Sequence, residues 1–250
     1  MLSLKQLLVI FVVAFFVLLV ALMPARAVVG WLGLDGYVTF ERVSGGLFHA
    51  RLEGVQARGV ALGTVEITPD IGALLTGGFE GLVTLNGMGR NGRAQVSSVS
   101  ASRAMFTDIS LITPLALAHS AWPLSGDVAL TARSLTLDAG QGCVDGSFDV
   151  RTDMFTPAFR AFSGQDLILE GAGGCEAGHI SANLEGQNEG VALKVDLTLS
   201  PQGTLVADLV LELKASLADQ QTLQTLMNFA GLQRQNDGKW HGRFEAPVTF

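Results

Sequence analysis

The chain has 250 residues, 48% apolar and only 16% charged, with 30 glycines against 7 prolines and a net charge of −7. That composition excludes a disordered chain and leaves enough apolar side chain for a sizeable core. Sixteen scattered Lys and Arg, with no basic block, also exclude the clustered positive charge that nucleic acid binding requires.

Residues 1–6 are expected to be a short cytoplasmic N-terminus, with Lys5 as the positive-inside cue. Residues 7–23, LLVIFVVAFFVLLVALM, are uncharged. At a rise of ~1.5 Å per residue they reach about 25 Å, enough for the hydrocarbon of a bacterial inner membrane. Two readings fit this segment. It is a retained signal anchor, or a signal peptide cut after Ala25-Arg26-Ala27. The apolar stretch is longer than the roughly 7–15 residues a cleaved signal needs, which favours the anchor. Either way the remainder, 28–250, is expected in the periplasm.

The exported part is dominated by strand patterns. Alternating or short apolar runs occur at 37–43, 48–55, 64–68, 82–85, 127–137, 144–150, 167–170 and 179–184. Most regular is 191–199, which puts Val191, Leu193, Val195, Leu197 and Leu199 on one face. After the turn signal Pro201-Gln202-Gly203, Leu205, Ala207, Leu209, Leu211 and Leu213 resume the pattern, so the two runs predict an antiparallel hairpin with one wet face. Asn236-Asp237-Gly238-Lys239 predicts a turn into a last strand over 240–244. Helical signals are few: 216–230, with Leu223, Leu226, Met227 and Ala230 at helical spacing and Gly231 to end it, and shorter candidates at 71–75, 115–121 and 155–162. Two stretches, from Gly46 to Ile67 and from Gly126 to Val150, share a Gly–strand–turn–Gly–strand plan without a strict period. The predicted fold is mainly β: a curved, largely antiparallel sheet of stacked hairpins with few short helices, preceded by one transmembrane helix.

Cys143 and Cys175 are the only cysteines, and each follows a glycine. In an oxidising compartment such a pair reads first as a disulfide, with two buried thiols as the alternative. No second cysteine or histidine stands at metal-ligand spacing from either. Gly87-Met88-Gly89-Arg90-Asn91-Gly92 matches the dinucleotide fingerprint by letter. That chemistry needs a helix N-terminus after the last glycine, whereas Ala94 to Ser100 reads as strand, so the match is taken as accidental. His49, His119, His179 and His241 are isolated from one another, and no GxSxG element is present. No catalytic, cofactor or metal site is predicted, and the chain does not read as an enzyme.

Several segments together resemble the type II secretion system protein N (general secretion pathway protein N) family. Val43-Ser44-Gly45-Gly46-Leu47-Phe48-His49-Ala50 is similar to its early glycine-rich element, and Gly63 to Pro69 with Ala73 to Gly78 to its strand–Pro–Leu-Leu–Gly segment. Pro123 to Val128 is similar to its mid-chain strand start, and Leu226 to Leu232 with Asp237-Gly238 to its C-terminal end. The sequence departs from the family pattern at Phe48 and Ile67, where tryptophan is common, and at Ala50, where glycine is common. The resemblance implies a single-pass inner-membrane protein whose periplasmic bulk contacts other secretion components as a structural subunit. A second reading is an AsmA-like periplasmic module that binds or transfers lipid along an apolar groove.

Overall fold

The computed structural model describes residues 38–46, 48–57, 60–76, 78–87, 89–100, 102–117, 124–138, 141–176, 178–201, 204–214, 224–225, 227–228 and 231–247. The expected membrane span at 7–23 and most of the expected helix at 216–230 lie outside them. The chain divides into two compact units, one up to Met88 and one from Gly89 onward.

The first unit contains β1 (Val38–Thr39), β2 (Arg42–Gly46), β3 (His49–Ala57), β4 (Val60–Pro69), a one-turn α1 (Ile71–Leu75) and β5 (Glu80–Gly87). All pairings are antiparallel: β1 and β2 share one edge of β3, and β4 then β5 follow on the other. Leu52 and Val55, three apart in β3, would face opposite ways in a regular strand. Both are nonetheless buried, at 5% and 3% exposure. A register shift between them, around Gly54 at φ +66°, absorbs the extra residue and returns both side chains to the same face. There they meet Phe40, Val43, Ala50, Leu62, Val65 and Ile67. The short helix expected at 71–75 forms as α1, and Asp70 before it accepts from Gly72 N–H through Oδ1 at 2.7 Å.

The second unit runs β6 (Arg90–Ser100), β7 (Arg103–Leu117), β8 (Leu124–Asp138), β9 (Gly142–Thr152), α2 (Thr156–Ser163), β10 (Leu169–Glu176), β11 (His179–Gln187), β12 (Val191–Leu199), β13 (Thr204–Leu213), β14 (Gln233–Arg234) and β15 (Trp240–Pro247). Each described pairing is antiparallel, and from β6 to β13 spatial order follows chain order. Only the end departs from sequence order: β15 lies next to β13, and the two-residue β14 pairs with its far side. The hairpin predicted over 191–213 forms in full, from Val191↔Leu213 to Leu199↔Leu205.

The helix expected at 115–121 is corrected. Leu115, Ala116 and Leu117 continue β7, opposite Gly126, Ser125 and Leu124, and 118–121 lie outside the described residues. Leu and Ala favour a helix by tenths of a kcal/mol, which a continuing ladder readily overrides. The helix expected at 155–162 does form, as α2, with Pro157 in its first turn and Gly164 at φ +69° closing it.

The main core lies between α2 and the sheet: Phe155, Ala158 and Phe159 pack with Leu167, Leu169, Leu184, Val191, Leu193, Val195, Leu211 and Trp240. Met227 and Leu232 join the same cluster. Buried Thr156 ties the loop after α2 to its start. Its hydroxyl donates to Leu167 C=O at 3.0 Å and accepts from Leu167 N–H at 3.1 Å. Thr156→Val keeps the shape but strands two buried backbone groups, so it is expected to cost about 2–4 kcal/mol. The urea midpoint of the purified chain checks this; an unchanged midpoint would mean that water replaces the hydroxyl.

Candidate functional surface

The two faces of the second unit's sheet differ sharply. On one face, a single rung crosses eight strands: Ile109, Ala132, Phe148, Gly173, Ala182, Leu197, Ala207 and Phe244. Every member is apolar or glycine because a residue two positions along each strand returns to the same side. Phe148 is buried, and its cluster is made of sheet residues among those described. Its ring lies over Gly173, where a Cβ would fall 2.4 Å from the ring carbons, and small Ala132 and Ala182 flank it. The next rung toward the turns holds Ile180, Leu199 and Leu205, all partly exposed. Apolar cover thus thins out from the α2 side toward the turn side. At the outer strand Phe244 is 42% exposed.

The other face carries cross-strand ion pairs. Arg151 meets Glu170 at 2.7 Å, Lys239 meets Glu212 at 2.9 Å, Arg243 meets Asp208 at 3.6 Å, and Lys194 meets Glu185. A shallow groove of about 310 Å³ runs here, lined by Glu185, Gln187, Lys194, Glu212 and Lys239 over a floor that includes Ala192 and Val210. Its charges neutralise one another in pairs, and exposed pairs of this kind contribute little to stability. The hydrogen bond and charge of Glu212 raise the Lys239 pKa above its ordinary value. In the turn before β15, Asp237 accepts the backbone N–H of Lys239, and His241 adds a smaller effect; together they hold its carboxyl below the usual range. None of the residues lining the groove is a serine, threonine, cysteine or histidine.

Cys143 on β9 and Cys175 on β10 are joined in the structure, with Cα atoms 5.4 Å apart. The β9·β10 ladder ends at Ser147↔Gly174, and the two chains meet again at an isolated bridge, Cys143↔Gly178. The pair spans this gap, where neighbouring rungs are missing. Of the histidines, His49 contacts Thr68 Oγ1 at 3.4 Å, His241 contacts Asp237, and His179 opens β11; His119 lies outside the described residues. Among the described residues no group of three or more His, Cys, Asp or Glu stands where it could hold a metal ion. The fingerprint-like glycines run from the end of β5 into β6, so strand stands where a nucleotide site needs a helix. No described helix is long and apolar enough to cross a membrane.

Sequence reading missed two features of this surface. One is the glycine seat under Phe148, for which Gly171-Ala172-Gly173-Gly174 was the available signal. The other is the outer edge of β15, whose partner strands could not be assigned before the topology was known.

A family model described as type II secretion system (T2SS), protein N, matches residues 37–241. No curated protein and no solved structure gives a significant match.

Proposed function

The chain belongs to the type II secretion system protein N family, and from that membership we propose that it is an inner-membrane-anchored, periplasmic structural subunit of the secretion machinery, working through contacts and not through catalysis. The family match across 37–241 carries this reading. The uncharged leader at 7–23 supports the anchor, and the joined Cys143–Cys175 pair supports an oxidising compartment. A sheet whose charged face is neutralised in pairs and whose apolar face is only partly covered offers binding area to neighbours.

The test is affinity purification of the full-length chain from membranes in mild detergent after light crosslinking. Other secretion components are expected to come with it. Isolation as a lone species would overturn the subunit reading. The partly exposed rung of Ile180, Leu199 and Leu205 favours a second reading, carriage of lipid. In that case the same preparation holds near-stoichiometric lipid by mass spectrometry and no secretion components.

A further inference from the structure

We infer that the outer edge of β15 is a docking edge for a second copy of this chain, paired antiparallel about Phe244. On its inner side β15 pairs with β13 from Trp240 to Pro247. On its outer side only Trp240 and His241 are paired among the described residues, by the two residues of β14. Beyond them no strand among the described residues pairs with this edge. An open, ungated edge presents unpaired N–H and C=O groups to any strand of matching register.

The direction of those groups follows from the hairpin. Gln235 N–H donates to Lys239 C=O at 2.8 Å across the β14–β15 turn. Hydrogen-bonded and non-hydrogen-bonded positions alternate along an antiparallel pair. The odd-numbered residues of β15 therefore point N–H and C=O outward, which leaves Arg243 and Glu245 as the free backbone sites. Pro247 has no N–H, and Gln233 already occupies the place opposite His241.

Charge then selects the register. Two copies can join through outward-pointing residues with Arg243 opposite Arg243, with Glu245 opposite Glu245, or with Arg243 opposite Glu245. Like charges directly opposite are destabilising. Only the third register puts opposite charges together, twice, and the twofold axis of an isologous pair produces both contacts at once. The same register forms four backbone hydrogen bonds and brings the two Phe244 side chains face to face at the central non-hydrogen-bonded rung. Two further observations fit. Glu245 has no ion-pair partner among the described residues, and Phe244 is a large apolar side chain left 42% exposed on a strand. The ladder is short, so pairing is weak in dilute solution and depends on the chain being concentrated.

The test is oxidation of membranes containing full-length Phe244→Cys with copper phenanthroline. The new thiols would face each other across the central rung, and a dimer reversible by reductant is expected. Ile112→Cys is the control, since it is equally exposed but lies on β7, held on both sides by β6 and β8. In the Phe244→Cys background, Arg243→Glu alone or Glu245→Arg alone is expected to lower the dimer yield roughly tenfold, and the two together to restore it. A yield no higher than the Ile112→Cys control overturns the proposal, as does failure of the double charge swap to rescue. An adduct to a different protein with no dimer also overturns it and assigns the edge to a foreign strand.

Discussion

Gly171→Val is expected to cost at least about 3 kcal/mol of unfolding free energy, near the upper end of what overpacking produces. A Cβ built at Gly171 falls 1.8 Å from the carbonyl oxygen of Asn183 and 2.9 Å from Leu184 Cα. Both are backbone atoms of β11, so no rotamer change can make room and the strands must part. Gly171 stands opposite Leu184 on one side and Val150 on the other, in the rung that enters the main core. Parting β10 from β11 therefore loosens Leu184 as well. The urea midpoint of the purified chain measures the loss. Gly78→Ala, whose new methyl would lie 3.7 Å from Ala73 C=O, is the matched control and is expected to change stability by less than about 0.5 kcal/mol. If both substitutions behave alike, the close approach of β10 and β11 is wrong.

Replacing both cysteines by serine is expected to cost roughly 3–4 kcal/mol, from the entropy that a closed loop of this size removes from the unfolded chain. The two cysteines are 32 residues apart in sequence, and their bond closes a gap in the β9·β10 ladder. Loss is therefore expected to appear first as hydrogen exchange in the segments around Ser147 and Gly174, well before α2 opens. Thiol trapping in intact cells gives the companion result. With the pair joined, neither sulfur takes up an alkylating agent until reductant is added. Free thiols in freshly trapped cells would remove the argument for an oxidising compartment and leave the family assignment untouched.

Much of this architecture is legible in the sequence, and the reasons differ from strand to strand. The 191–213 hairpin is plain because its inner residues are all Val, Leu or Ala while most of its outer ones, Lys194, Asp196, Thr198, Thr204, Asp208 and Glu212, are polar, the contrast of a half-buried sheet. β7 is the longest strand with β8, at fifteen residues, yet the periodicity alone does not pick it out. Asp108 sits at φ +50° where the register with β6 shifts between Arg93↔Ser110 and Gln95↔Thr107, so the alternation slips by one in mid-strand. Pro114 adds a second false stop. It is tolerated because pairing with β6 ends at Asn91↔Ile112, past which no N–H is required on that side. The paired face charges were legible one residue at a time as exposed carboxylates, but which cation meets each depends on register. The open edge of β15 is invisible in sequence for a related reason: nothing local announces that β14 is only two residues long.

The nearly sequential strand order has a consequence for how the protein is made. From β6 to β13 each strand is laid against the one just completed, so ordering it closes only a short loop and the entropic cost stays small at every step. A chain that emerges from its N-terminus can thus build this sheet by accretion, using the last hairpin as the template for the next, without waiting for distant segments. β15 breaks the pattern: it must pass β14 to reach β13, and the buried Trp240 and Leu232 reach the core with it. Closure of the core therefore waits for β15, and a chain cut short before Trp240 would carry a finished meander with its last wall missing.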